Sequence, residues 1–298
     1  MVNNAPTLDQ RDPDDTLRLS PSAQRAVIRQ AEDQRGSFSY ALALDPHQGE
    51  AHTDQVWLCV SGVPGCERDF RHLAPYLAQR GSVARLIMPG FGALIDEAPL
   101  SDCGSRAEYI RRVIKAEGWT RVGLIGHSMG GPAALLAARA LPELSSLTLI
   151  CSVGLRPHRA MRFGGGTARF IYALMSLPLL GAWLEQRGRA LMRRAGFRNH
   201  PLDRAQLKLI LAHIWGLKFV TLRAAIPQLP PSLEVLCVYA QDDHIVEAEV
   251  SEELAHALSA RGAQSRTHVF EEGGHNPQKR HAAALATLIA AVSEGERR

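Results

Sequence analysis

Short apolar runs alternate along the chain with longer amphipathic stretches. The runs are VWLCV (56–60), VARLIM (83–88), VGLIG (122–126), LTLIC (147–151) and VLCVY (235–239). They are continuous rather than alternating, which is typical of strands covered on both faces. Helical patterns lie between them, at 68–79, 107–117, 132–140, 248–259 and 281–292. This succession predicts an α/β fold, with a mostly parallel twisted β-sheet flanked by helices.

The interval 155–232 interrupts this succession because it contains helical patterns and no convincing strand. Its helical stretches are FIYALMSLPLLGAWL, RGRALMRRAGF and LDRAQLKLILAHIWGLKFVTLRAAI. We therefore expect residues 36–154 and 233–298 to form the core, with 155–232 inserted as a helical cap. Residues 1–35 are predicted to be a polar arm followed by a short helix that Ser20-Pro21 caps.

Charge is unevenly distributed. The whole chain carries a formal +4, but residues 155–232 hold eleven Arg and two Lys against Glu185 and Asp203, which makes +11 and leaves about −7 elsewhere. The basic cap is compatible with anionic substrates or peripheral contact with an acidic membrane. The favoured interpretation is a solvated helix face whose arginines pair with the acidic remainder. No run of basic residues predicts nucleic-acid binding.

Composition and cysteine usage favour an ordinary globular protein. Hydrophobic residues make up 46% of the 298 residues and charged residues 21%. Three of the five cysteines, Cys59, Cys151 and Cys237, fall inside apolar runs, which is typical of reduced thiols. The first thirty residues contain no continuous apolar stretch. We expect a cytoplasmic location, with peripheral membrane contact as a further possibility.

Gly126-His127-Ser128-Met129-Gly130 is the strongest chemical signal. It directly follows the apolar run VGLI and precedes the helix-forming stretch GPAALLAARA. A sharp turn between strand and helix needs glycines on both sides and pushes the serine hydroxyl above the strand end. The following helix N-terminus then offers donors to an oxyanion. The alternative is a glycine-rich turn with an idle serine.

This segment resembles the nucleophile elbow of the α/β-hydrolase superfamily, and the resemblance extends over most of residues 38–292. It implies a serine-nucleophile, capped esterase or lipase-like member with Ser128 as nucleophile. The family places its base last in the chain, and Gly274-His275-Asn276 fits, after a predicted strand at 267–270. The resemblance selects His275 from twelve histidines; most others are interpreted as surface or structural residues.

The acid is expected in VLCVYAQDDHIV, which resembles the family's G-x-x-D-x-I-V loop with Ala240 in place of glycine. The family spacing to Ile245-Val246 favours Asp243. Asp242 is the competing candidate, interpreted as a solvated loop residue. The carboxylate would orient the imidazole rather than take its proton.

Ser61-Gly62-Val63-Pro64-Gly65 resembles the family's H-G-x-P-G turn. The resemblance implies an oxyanion hole made by the backbone amides of Val63 and Met129. Ser61 replaces the histidine that normally supports this loop. A structural turn without catalytic consequence is the alternative.

Serine at the elbow predicts acyl transfer chemistry, because relatives that open epoxides or displace halides use aspartate. We expect an enzyme, a hydrolase of a carboxylic ester or thioester with an apolar acyl group that the cap would help to enclose. The alternatives are a carbon-carbon bond hydrolase, an acyltransferase or a ligand-binding module with little turnover. No cofactor and no metal are predicted, since the sequence has no H-E-x-x-H, C-x-x-C or phosphate-loop pattern.

Overall fold

The structure, a computed structural model, describes residues 26–50, 53–161, 164–194, 202–262 and 264–295. Eight strands in these residues form one sheet. They are β1 (Val27–Asp33), β2 (Gly36–Asp45), β3 (Gln55–Val60), β4 (Ser82–Ile87), β5 (Arg121–His127), β6 (Leu144–Ile150), β7 (Glu234–Ala240) and β8 (Ser265–Phe270).

The spatial order is β1-β2-β4-β3-β5-β6-β7-β8. β1 and β2 pair antiparallel with each other, and β2 pairs antiparallel with β4, whereas all remaining neighbours are parallel. The central strands lie under helices on both faces, which is why their sequences are continuous apolar runs; all six residues of β3 are buried. The predicted mostly parallel sheet is confirmed.

Ten α-helices connect or flank the strands in the described residues. They are α1 (Ala74–Leu77), α2 (Cys103–Glu117), α3 (Gly130–Ala138), α4 (Gly164–Leu174), α5 (Pro178–Arg194), α6 (Arg204–Gly216), α7 (Phe219–Ala225), α8 (Ala248–Ser259), α9 (Pro277–Arg280) and α10 (Ala282–Ser293). The helix predicted over 68–79 is instead a 3-10 turn, Glu67–Phe70, followed by α1 with Pro75 in its first turn.

The prediction of a short helix near the N-terminus is wrong for the residues that the structure describes. Residues 27–33 form strand β1, which pairs with β2 in the register Ile28↔Ala41. β1 is an edge strand with little burial on either face, so its sequence VIRQAED lacks an apolar period. Hydrogen bonding to β2 across a tight turn, with Gly36 at φ 100°, determines its conformation. The predicted arm and the Ser20-Pro21 cap lie outside the described residues.

The described part of residues 155–232 contains the helices α4, α5, α6 and α7 and no strand. These helices lie in the chain between β6 and β7. No single described helix has the length and apolar character needed to cross a bilayer, although Arg204–Gly216 and Phe219–Gln228, bent by 58°, meet that test as a pair.

Candidate active site

The sheet collects the candidate residues at one edge. Ser61, Ser128 and Asp243 each follow the carboxyl end of a parallel strand, β3, β5 and β7, and His275 lies in the loop after β8. Loops at the carboxyl ends of parallel strands meet at the same side of a sheet, which is where ligands of open α/β sheets bind. The topology therefore brings four sequence-distant segments into one place.

Ser128 occupies a strained turn between β5 and α3. Its φ is 52°, in the left-handed region that non-glycine residues rarely adopt. The turn is possible because glycines flank it: a Cβ at Gly130 would lie 2.3 Å from the carbonyl oxygen of Val60, and one at Gly126 would lie 2.8 Å from the Cα of Gly131. Both elbow glycines are thus required by close packing, as the motif predicts.

The structure brings the three predicted side chains together. His275 Nε2 lies 2.8 Å from Ser128 Oγ, and His275 Nδ1 lies 2.8 Å from Asp243 Oδ2. His275 and Asp243 are both buried. The imidazole therefore bridges hydroxyl and carboxylate, so that Nδ1–H donates to Asp243 while Nε2 accepts from Ser128.

Asp243 and Asp242 have different partners. Asp243 Oδ1 accepts hydrogen bonds from the amides of Ile245 and Val246, at 2.8 and 3.1 Å. Burial by itself would raise the pKa of Asp243, but the hydrogen bonds from His275 and the two amides outweigh it and lower that pKa. Asp242 instead accepts from the amide of Gly274 at 2.7 Å, so it supports the histidine loop rather than the imidazole.

The loop after β3 approaches Ser128 closely. A Cβ at Gly62 would lie 2.8 Å from Ser128 Cβ, so only glycine allows this distance. The amides of Val63 and Met129 donate to no other group among the described residues. Val63 lines the cavity beside Ser128. Two free donors near the hydroxyl are what a developing oxyanion requires.

Ser61 closes this loop on itself in place of the family's histidine. Its hydroxyl donates a 2.7 Å hydrogen bond to the carbonyl of Cys66. The substitution therefore preserves a support for the turn, although a shorter one. Val63-Pro64 is a cis peptide bond within the same turn.

Arg106 on α2 is a site residue that the sequence did not reveal. It is fully buried, and its Nη1 donates to the carbonyl of Met129 at 2.9 Å while its Nη2 donates to the carbonyl of Ser61 at 3.4 Å. One guanidinium thus joins the two segments that carry the candidate oxyanion donors. An arginine on an amphipathic helix is ordinarily solvated, so only the tertiary structure identifies it.

His127 joins the elbow to the histidine loop. Its Nε2 donates to the carbonyl of His275 at 2.7 Å, whereas Nδ1 has no partner among the described residues. Burial, followed by the nearby His275 ring, lowers the pKa of His127 to about 3. The sequence assigned this residue no role beyond its place in the elbow.

A cavity of about 250 Å³ opens beside Ser128. Its lining combines the apolar Val63, Pro64 and Ile245 with the polar side chains of Asp69, Asp242, His244, Asn276 and Lys279. We expected the apolar residues of the cap to line the pocket. All residues that line this cavity instead belong to the core, and most lie in its loops.

Cys151, Asp243 and His275 offer donor atoms within 4.8 Å of one another, the spacing of a metal site. Burial raises the pKa of the Cys151 thiol well above its usual value, and a metal would need the thiolate. His275 Nδ1 and Asp243 are already engaged with each other. These residues fit the hydrogen-bonded arrangement and do not fit a metal centre.

Two arginines of the 155–232 segment connect it to the core. Arg156 and Arg223 both pair with Glu253 on α8, at 2.9 and 3.3 Å. His158 also contacts the acid loop, with Nδ1 2.9 Å from the carbonyl of Ile245. The interpretation that arginines of this segment pair with acidic residues of the core therefore holds for Arg156 and Arg223.

The sequence profile of the alpha/beta hydrolase family matches residues 57–288. The chain belongs to this family. Family membership, with the fold described above, supports a hydrolase. No curated protein sequence gives a significant match.

Solved structures share the fold at low sequence identity. An esterase from Exiguobacterium antarcticum superposes with a TM-score of 0.65 and 17% identity, covering 89% of this chain and 98% of that one. A lipase-esterase related protein from Clostridium acetobutylicum ATCC 824 gives 0.62 and 18%, covering 83% and 98%. A hydrolase from Pseudomonas aeruginosa PA01 gives 0.65 and 15%, covering 90% and 98%. At these identities the likeness establishes the fold alone.

Proposed function

We propose that the protein is a serine hydrolase that cleaves a carboxylic ester or thioester through an acyl-enzyme on Ser128. The observation that carries the proposal is the continuous pair of 2.8 Å contacts from Ser128 Oγ through the His275 ring to Asp243. The strained φ of Ser128 adds to it, because backbone strain of this kind is retained at functional positions.

In the proposed reaction, Ser128 Oγ attacks the substrate carbonyl carbon while its proton passes to His275 Nε2. The carbonyl oxygen becomes an oxyanion that the amides of Val63 and Met129 stabilise. When the oxyanion collapses, the bond to the leaving alcohol or thiol breaks and the proton moves from Nε2 to that group. Asp243 stabilises the imidazolium without taking its proton.

Hydrolysis of the acyl-enzyme follows the same route in reverse. Water gives a proton to His275 Nε2 and attacks the acyl carbon, and the bond from that carbon to Ser128 Oγ breaks as the proton returns to the serine. Nucleophile, base and electrostatic stabilisation all come from the chain. The proposed reaction therefore needs no cofactor or metal.

The cavity beside Ser128 bears on the substrate. Its volume of about 250 Å³ lies below the roughly 300–1,000 Å³ of pockets that bury drug-sized ligands. Besides Ser128, His127 and His275, five of its lining side chains are polar or charged. The apolar acyl group predicted from the sequence remains part of the proposal, and the cavity favours a short acyl chain with a polar group nearby.

All five cysteines are free thiols, and four of them are buried. Free thiols persist in reducing compartments. We therefore retain the cytoplasm as the proposed location.

The proposal is tested by labelling the protein with a fluorophosphonate probe and mapping the labelled peptide, with Ser128→Ala as the matched control. p-Nitrophenyl esters of increasing acyl length are assayed in parallel. We expect labelling confined to Ser128, turnover that is lost in Ser128→Ala, and a preference for short esters.

Absence of labelling in the folded wild-type protein would refute an activated serine and favour a ligand-binding module. Labelling of Ser128 with a preference for long acyl chains would keep the hydrolase and refute the short-chain substrate.

A further inference from the structure

Helix α5 exposes several large apolar side chains. Leu179 is 88% exposed, Leu191 64% and Trp183 53%, and Leu180 is also exposed. Single exposed apolar residues are ordinary, but a row of them along one helix marks an interaction surface. The row extends from Leu179 to Leu191, along most of the length of the 17-residue helix α5.

The orientation of α5 is fixed by its opposite side. A Cβ at Gly181 would lie 2.4 Å from the carbonyl oxygen of Met175, and one at Gly188 would lie 3.0 Å from Leu207 Cδ1 on α6. The two glycines, seven residues apart, let α5 pack closely on its neighbours. With 3.6 residues per turn, Leu179, Trp183 and Arg194 lie opposite these glycines, and Leu180, Arg187 and Leu191 lie on the adjoining flank, which is also exposed. We call these six residues the α5 outer face.

Arginines are interleaved with the apolar residues of this face. The Arg187 guanidinium lies over the Trp183 ring, 5.3 Å from its centroid. Arg187 and Arg194 form no ion pair with any described residue. Arg189, which does not belong to the outer face, pairs with Glu185. The outer face thus combines uncompensated positive charge with exposed apolar surface.

We propose that the α5 outer face binds the surface of a bilayer that contains anionic phospholipid. A helix of this kind lies in the plane of the interface, with leucines in the acyl boundary and arginines at lipid phosphates. Tryptophan is suited to that boundary because its ring is amphipathic. At about 1.5 Å per residue, α5 would contact roughly 25 Å of membrane.

Charge distinguishes a bilayer from a second copy of the chain as the occupant. A symmetric dimer through this face would bring the arginines of one copy towards those of the other. An anionic bilayer supplies both the apolar layer and the opposite charge. The inference concerns binding only and does not depend on the proposed chemistry.

The test is sedimentation of the full chain with sucrose-loaded vesicles, either phosphatidylcholine alone or with about one third phosphatidylglycerol. We expect binding to the anionic vesicles that weakens as salt rises. Vesicles with brominated acyl chains should quench part of the tryptophan fluorescence. Trp183→Phe should abolish that quenching while it retains most of the binding.

Two double variants separate the apolar and charged contributions. Trp183→Ser with Leu191→Ser should lower the partition coefficient by more than about tenfold. Arg187→Gln with Arg194→Gln should lower it by about fivefold per arginine. The matched controls are Ile28→Ser, an exposed apolar residue on the edge strand β1, and Arg139→Gln, an exposed arginine at the end of α3. Both controls should bind as wild type does.

Absence of binding to anionic vesicles would overturn the proposal, as would equal binding by both double variants and the controls. A dimer detected by light scattering without vesicles, and abolished by Trp183→Ser with Leu191→Ser, would overturn it in favour of a second copy. Circular dichroism melts confirm that each variant remains folded.

Discussion

The buried guanidinium of Arg106 donates a 2.9 Å hydrogen bond to the carbonyl of Met129, the residue whose amide is one of the two proposed oxyanion donors. The same guanidinium reaches the carbonyl of Ser61 at 3.4 Å. A donor that binds both carbonyls constrains the distance between the two segments. Arg106 is therefore a positioning residue in the proposed reaction, acting through the backbone.

We expect Arg106→Met to lower kcat by about tenfold to a hundredfold with little change in KM, because a small displacement of oxyanion donors affects the transition state more than the bound ester. Arg106→Lys should recover part of the loss, since an ammonium can reach one of the two carbonyls. Steady-state kinetics with p-nitrophenyl acetate measure both constants.

The matched control is Arg111→Met, on the same helix, where the arginine pairs with Glu108 and donates to the carbonyl of Leu136 away from the site. Its kcat should stay within about twofold of wild type. Equal losses of kcat in both variants would show that α2 contributes only general stability.

Gly62→Ala tests the close approach of the loop to Ser128. The added methyl would lie 2.8 Å from Ser128 Cβ and 3.2 Å from its Oγ, so the loop or the serine must move. We expect kcat/KM to fall by at least about tenfold. Gly166→Ala is the control, because no atom of the described residues lies within 4 Å of the added methyl on α4. It should leave activity unchanged and stabilise the protein by about 0.5–1 kcal/mol. Wild-type turnover by Gly62→Ala would contradict the assigned loop position.

The strands that are buried on both faces were the ones that the sequence predicted best. Strands β3 to β7 are covered on both faces, so each gave a continuous apolar run that located it within a few residues. The elbow was equally visible, because its geometry demands glycine at Gly126 and Gly130. β1 was mistaken for a helix because an exposed edge strand is specified by pairing with its neighbour, which leaves no period in its own sequence.

The residues that sequence could not identify act through tertiary contacts. Arg106 lies in a polar stretch of α2, and only packing shows that its charge is buried against two carbonyls. The core lining of the cavity was missed for a similar reason. The helices between β6 and β7 are positioned by contacts such as that of Arg156 with Glu253. No local sequence pattern specifies such contacts.

The variants Asp243→Asn and Asp242→Asn distinguish the roles of the two adjacent carboxylates. Asp243 accepts from His275, so its amide variant should favour the wrong tautomer and lower kcat by about 10³–10⁴. Asp242 accepts from backbone amides, chiefly that of Gly274 in the histidine loop, and its variant should lose less than about tenfold. Steady-state kinetics on both variants give the comparison. A larger loss in Asp242→Asn would exchange the two assignments.

The pKa of His127 predicts how stability depends on pH. Burial lowers that pKa to about 3 in the folded protein, whereas an unfolded histidine titrates near 6.5. Between these values the unfolded chain binds more protons than the folded chain, so acidification destabilises the fold from about pH 6.5 downwards. At about pH 5 this single group lowers the free energy of unfolding by about 2 kcal/mol relative to neutral pH.

His127→Gln isolates this contribution, because glutamine can still donate to the carbonyl of His275 and does not titrate. Urea unfolding at about pH 7.5 and about pH 5 should show a loss of stability that is smaller in the variant by about 2 kcal/mol. His213, whose pKa burial also lowers to about 3, is present in both proteins and cancels in the comparison. If wild type and His127→Gln lose the same stability on acidification, His127 does not change its charge between the folded and unfolded states. That result would refute its assignment as a buried neutral link between the elbow and the histidine loop.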